Sequence, residues 1–183
     1  MTAVEAANGI EQGSTKVIAL VTEAAEAIFT IFECAGAARL IGMTWCAEDL
    51  ADAPGAINNR DASGDYDYIY KLARSLRLIG AATGNVLPIE TIHGDFRDLD
   101  GIRARAEKVR AEGYRGMLAI HPAQANVINE AFTPSEDEIA DAQEIVDIFA
   151  ANPGACAIEY KGGMLDRPYL ALAETVLRLA GRL

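Results

Sequence analysis

Val17-Ile-Ala-Leu-Val21 and Arg39-Leu-Ile-Gly-Met-Thr-Trp45 are the two runs on which the fold turns. Each is short and nearly continuous in apolar residues. A strand with one wet face alternates apolar with polar, whereas a strand of a parallel sheet, covered on both faces, does not. Between the two runs, Ala24 to about Ala38 sets Ile28, Ile31, Phe32 and Ala35 on one helical face. The segment therefore reads as strand, helix, strand.

The pattern recurs downstream. Asp52–Asp67 is rich in Asp, Gly and Asn and reads as a long loop, followed by a helix from Tyr68 to about Ala82. Val86-Leu-Pro-Ile-Glu90 is a strand, Asp98 caps a helix running to about Glu112, Gly116-Met-Leu-Ala-Ile120 is a strand, and a short helix starts at Ala123. These four β-then-α units define an α/β class. They fit half of a (β/α)8 barrel, whose full form takes about 250 residues, and also a small doubly wound sheet; periodicity does not choose between them. Further on, Ser135 is the expected N-cap of a helix from Glu136 to about Ala150. Ala155–Asp166 is extended and Gly-rich, and Asp166-Arg-Pro168 opens a last helix, Tyr169–Leu179. With its polar lead-in to Thr15, residues 1–134 form the βα region, and residues 135–183 a helical C-terminal extension.

Composition narrows the functional classes. With 183 residues, 51% hydrophobic and 23% charged, the chain has the profile of an ordinary globular domain. Its formal net charge of −11 argues against nucleic acid as a partner, because phosphate recognition rests on a surplus of Lys and Arg. The apolar runs are far shorter than the roughly 20 residues that span a bilayer, so no membrane span is expected. Nor does the N-terminus pair a basic region with an apolar run, which favours the cytosol. Cys34, Cys46 and Cys156 are widely spaced, without a CxxC motif, and read as reduced, packed thiols.

Most residues capable of chemistry fall just past the end of a strand. Glu23 follows the first, Glu48 and Asp49 the second, Glu90 and Asp95 the third and His121 the fourth. In parallel α/β proteins that edge is where side chains from separate strands converge. Carboxylates gathered there repel one another unless a cation lies between them, and Mg²⁺ characteristically takes one or two protein carboxylates. Carboxylates in these places also serve as helix caps and dipole partners, a role that suits Asp98 and Glu48 best. His121, in Ile-His-Pro-Ala-Gln, could be a base or a ligand, but a His before Pro more often orients its loop by bonding to backbone. His93 receives no assignment, and no glycine pattern marks a dinucleotide or P-loop site.

Six ordered blocks carry a resemblance: Leu20-Val-Thr-Glu-Ala-Ala25, Gly42-Met-Thr-Trp-Cys-Ala-Glu-Asp-Leu-Ala51, Asp95-Phe-Arg-Asp-Leu-Asp-Gly101, Gly116-Met-Leu-Ala-Ile-His-Pro-Ala-Gln124, Ile128-Asn-Glu-Ala-Phe-Thr-Pro-Ser135 and Gly163-Met-Leu-Asp-Arg-Pro168. In these the chain resembles the family of citrate lyase β-subunit-like proteins and malyl-CoA and citramalyl-CoA lyases. The resemblance implies a (β/α)8 barrel, of which this chain covers about the C-terminal half plus a lid. It also implies carbon–carbon cleavage or formation in a β-hydroxyacyl-CoA, a CoA-thioester or small organic-acid substrate, and a homo-oligomer. Mg²⁺ would be held by Glu23 and Asp49, and Asp166, on the lid, would act in proton transfer. Relatives open with a segment bearing the first strands, an Arg that grips the substrate carboxylate and a basic stretch for CoA, to which nothing here corresponds. Ala24 stands where relatives often have Thr. A metal-dependent 2-oxo acid aldolase and a non-catalytic binding or assembly module are the alternative readings.

Overall fold

The structure, a computed structural model, describes residues 1–183. The chain divides into two compact units, Met1–Phe132 and Thr133–Leu183.

In the first unit, β1 (Val17–Leu20), β2 (Leu40–Thr44), β3 (Leu87–Glu90) and β4 (Gly116–Met117) form one all-parallel sheet in the order β1-β2-β3-β4. That order answers the question periodicity left open. A doubly wound sheet reverses direction at a switch point, whereas a barrel adds each strand on the same side of the last. The sheet is therefore an arc of a βα barrel.

Helices α1 (Thr2–Ala7), α2 (Ile31–Cys34), α3 (Ala47–Asp52), α4 (Tyr68–Thr83), α5 (Leu99–Ala111) and α6 (Pro122–Phe132) complete the unit. The long helices follow the expected stripes. Tyr70, Ala73, Arg77, Gly80 and Ala81 of α4 are buried, and Ile102, Ala106 and Val109 of α5 are too. Asp98 caps α5 by accepting from the Gly101 amide at 2.9 Å.

Several local readings needed correction. The segment expected as one helix over 24–38 is a 3-10 turn, Ala25–Thr30, followed by the single turn of α2. Ile31 and Ala35 are buried, while Phe32 of the expected face is 45% exposed, so there is no continuous stripe to hold a longer helix. Two short helices, α1 and α3, arise where the residues suggested none. Glu5 anchors the first by accepting from the Gly13 and Thr15 amides, at 3.0 and 3.1 Å, and by pairing with Arg39 at 2.8 Å. The fourth strand is shorter than Gly116–Ile120. The amides of Ile120 and His121 turn to the Gln124 side chain instead of the ladder, at 2.7 and 3.1 Å.

The second unit consists of α7 (Glu136–Ala151), a hairpin of β5 (Ala157–Tyr160) and β6 (Gly163–Asp166), and α8 (Arg167–Leu179). Ser135 and Glu138 cap α7 reciprocally, at 3.2 and 2.8 Å, satisfying two of its orphan donors. The stretch read as merely extended pairs with itself through a turn in which Lys161 and Gly162 both have positive φ, 48° and 77°, the conformation tight hairpins require. Ala142 of α7 packs with Ala173 and Leu177 of α8. No helix in the chain is long and apolar enough to cross a membrane.

Candidate metal centre

Glu23 and Asp49 come from adjacent parallel strands, and one contact ties those strand ends together. Thr22 Oγ1 accepts from the Cys46 amide at 3.0 Å and donates to the Cys46 carbonyl at 3.4 Å, just past the Leu20–Thr44 register pair. Glu23 is the next residue after Thr22. Asp49 lies in the first turn of α3, where Cys46 is the N-cap residue. Both carboxylates are exposed. Neither is engaged by a Lys or Arg.

No three His, Cys, Asp or Glu side chains gather at metal-binding spacing. A hard cation of the Mg²⁺ kind does not need three, because water and substrate fill its remaining positions. Two exposed carboxylates without a countercharge, at neighbouring strand ends, are a donor set that fits it. Close by, the Thr44 hydroxyl is buried without a hydrogen-bond partner. The Cys46 thiol, whose Sγ lies 3.4 Å from Glu48 Oε2, is pushed up to about 11 by burial and then by the Asp49 and Glu48 carboxylates. It stays protonated, and so a poor nucleophile.

The other strand-end residues have different employment. Glu90 is fully buried. It accepts from Trp45 Nε1 at 2.6 Å, Arg74 Nε at 2.7 Å, Arg105 Nη2 at 3.3 Å and the Thr91 amide at 2.9 Å, which leaves no room for a metal role. Burial opposes the charge of Arg74, yet the adjacent Glu90 raises its pKa. Asp95 accepts from the Arg97 amide at 3.0 Å in a local turn. His121 Nδ1 accepts from the Ala123 amide at 3.1 Å, and its ring stacks on Phe96 with centroids 4.7 Å apart, a loop-orienting arrangement. In the second unit, Asp166 occupies the N-cap position of α8 but makes no side-chain cap bond. Its Oδ1 is buried with no hydrogen-bond partner.

Residue patterns alone did not single out a cleft of about 960 Å³ in the first unit, between α4 and α5. Arg60, Lys71, Arg74, Arg105 and Lys108 line it, together with Glu48, His93 and Asp95. A signal for it was present: Lys71 with Arg74, and Arg105 with Lys108, are each three residues apart on a helix and so share a face.

Fold and rim together define a βα-barrel protein with carboxylates at the C-terminal edge of its strands. More narrowly, residues 1–122 match the model of the HpcH/HpaI aldolase/citrate lyase family, and the chain belongs to that family. It is 36% identical over 176 residues to a citrate lyase subunit beta-like protein of Mycobacterium tuberculosis, covering 96% of this chain and 63% of that one. It is 32% identical over 196 residues to an L-malyl-CoA/beta-methylmalyl-CoA lyase of Rhodobacter capsulatus, covering 98% and 61%. The crystal structure of the CitE protein of M. tuberculosis, in complex with magnesium, acetoacetate and coenzyme A, superposes with a TM-score of 0.79 at 34% identity, covering 92% of this chain and 62% of that chain. The chain thus spans about three-fifths of the length of these relatives.

Proposed function

We propose that this chain is a Mg²⁺-dependent carbon–carbon lyase acting on a β-hydroxyacyl-CoA thioester of the citryl-, malyl- or citramalyl-CoA kind. The observation that carries the reading is the pair Glu23 and Asp49, two uncompensated carboxylates on strand ends joined through Thr22 and Cys46. Membership of a family whose members are named as lyases of such thioesters supports it, as does a structural neighbour that holds magnesium and coenzyme A.

In this reading Glu23 and Asp49 hold the cation. When bound, it supplies Lewis-acid stabilisation of the negative charge that develops on the keto-acid portion as the bond breaks. Asp166, with an oxygen left without a partner, is the acid/base group, carried on a C-terminal extension, 135–183, that serves as a lid. The chain works in the cytosol, as a homo-oligomer. Its three cysteines, none in a disulfide, suit a reducing compartment.

The test is acetyl-CoA release from malyl-CoA by the purified chain, with and without Mg²⁺, alongside calorimetric titration of Mg²⁺. Glu23→Ala and Asp49→Ala should each abolish both turnover and Mg²⁺ binding while leaving the melting temperature unchanged, since both side chains are exposed. Activity surviving both substitutions sinks the metal assignment. Turnover of the free acid in preference to the thioester selects a 2-oxo acid aldolase. The alternative, a binding or assembly module that keeps the cation ligands without turnover, predicts a different outcome. Mg²⁺ binding with no product from either substrate would select it.

A further inference from the structure

The cleft between α4 and α5 draws positive charge together in a chain whose 27 acids outnumber its 16 bases. Arg60, Lys71, Arg74, Arg105 and Lys108, five of those 16, line it. Its acids are engaged elsewhere. Asp65 pairs with Lys71 at 2.8 Å and Glu112 with Arg74, Asp95 accepts from the Arg97 amide, and Glu48 faces the Cys46 thiol. Glu90, buried beneath, holds Arg74 and Arg105. Arg60 and Lys108 form no ion pair. Two cations thus face one cavity without a countercharge.

The cations are also held in position. The Arg60 guanidinium carbon lies 3.9 Å from the centroid of the Tyr66 ring, and that of Arg105 lies 5.5 Å from the same centroid, so the two stand less than about 10 Å apart. Arg105 is fixed by bonds of 3.3 Å to the Ile92 carbonyl and to Glu90. Those bonds use two of the five N–H donors of a guanidinium, and the others are left for a ligand. Lys108 follows Arg105 by three residues on α5 and so shares its face. Three cationic groups on one wall exceed what a carboxylate, with two oxygens and one charge, can satisfy. A phosphate ester, with three free oxygens and close to two charges, matches them. Size points the same way. The cleft's volume of about 960 Å³ lies at the upper end of small-molecule sites, about 300–1,000 Å³, and a bare phosphate would leave most of it empty.

We propose that this cleft binds a small phosphorylated organic molecule, its phosphate held by Arg60, Arg105 and Lys108 and its organic body set against Ile92 and Ala104. Arg74 and Arg105, anchored on the buried Glu90 carboxylate, are ordered before the ligand arrives, which lowers the cost of capture. Neither Glu23 nor Asp49 lines the cleft. The site is therefore separate from the candidate metal centre, and it stands or falls independently of Mg²⁺ binding and of turnover.

The experiment is calorimetric titration of glycerol phosphate into the wild-type chain in the absence of Mg²⁺, with inorganic phosphate and acetate as comparisons. Glycerol phosphate should bind at millimolar concentration or below, more tightly than inorganic phosphate, and acetate should not bind. Arg60→Gln and Lys108→Gln should each weaken binding about tenfold, the effect of losing one charged hydrogen bond, with the melting temperature unchanged. Lys108→Arg, which keeps the charge, should restore most of the affinity. Lys161→Gln, in the second unit, should have no effect. Absence of binding to the wild-type chain at millimolar glycerol phosphate overturns the proposal, as does an affinity that neither glutamine variant alters. Acetate binding as tightly as the ester overturns it too, because the cleft then offers only general countercharge. Displacement of glycerol phosphate by coenzyme A overturns the assignment of a separate site.

Discussion

Glu90 gathers four donors on one fully buried carboxylate, and its replacement should show how much of the first unit depends on that knot. Removing one partner of a buried ion pair leaves the other charge uncompensated, at a cost of about 3–5 kcal/mol. Glu90→Ala should lose that much in urea unfolding, since the Trp45 indole loses its acceptor and Arg74 and Arg105 are left with only Glu112 and the Ile92 carbonyl. Glu90→Gln should lose less, because its amide oxygen can still accept from Trp45. Trp45 is the only tryptophan, so its fluorescence reports on the same site. A loss below about 1 kcal/mol for the alanine variant would mean that the arginines find other partners. Sequence position had grouped Glu90 with Glu23 and Asp49, as three acids past three strands. What separates them is the chain's return: Trp45, Arg74 and Arg105 reach Glu90 from sequence distances of 45, 16 and 15 residues, which no local pattern records. His121 was more legible, because its partner, the Ala123 amide, is two residues away.

Between α2 and α4 the packing relies on glycine. A Cβ on Gly84 would meet the Ala35 carbonyl oxygen at 2.3 Å and the Ala35 Cβ at 2.7 Å, and backbone cannot swing aside as a long side chain can. Gly84 has right-handed φ, −84°, so the residue is chosen for space and not for conformation. Gly84→Ala should destabilise by about 1–3 kcal/mol through overpacking, whereas Gly154→Ala, with nothing within 4 Å, should leave the melting temperature unchanged or slightly raised. An unchanged melting temperature for Gly84→Ala as well would show that the Ala35 contact yields without cost. The same contact explains which elements the residues revealed. Helices α4, α5 and α7 bury a stripe over three or more turns, so their period can be read. Short α1, α2 and α3 have too few turns to show one, and tertiary contacts hold them: Glu5 to Arg39, Ile31 against Gly80, and Leu50 in the Trp45 cluster.

At the scale of the whole chain, strand order was the part that patterns could not supply. Four βα units are compatible with barrel and doubly wound sheet alike, and only the neighbour relations distinguish them. The six ordered blocks pointed to the barrel by likeness, not by physics. Stability against acid is also a property of the whole. Glu5, held by the Gly13 and Thr15 amides and by Arg39, is lowered to about 2 from an ordinary 4.5. A depressed carboxylate contributes stability that is complete above its unfolded value and disappears as pH falls through the folded one. Glu5→Gln should therefore lower the melting temperature at pH 7, and the gap from wild type should close between about pH 4.5 and 2. A gap independent of pH would assign the loss to packing alone.

The Thr22 and Cys46 contact has one more consequence. Because the hydroxyl both accepts from and donates to the same residue, the two rim segments are clamped when the chain folds, before any ligand arrives. A flexible loop would have to surrender its freedom at the moment of capture, and that ordering would weaken the grip. Here the loss is settled in advance. If Glu23 and Asp49 hold a cation as proposed, their exposed carboxylates would have only their own side-chain rotations left to give up.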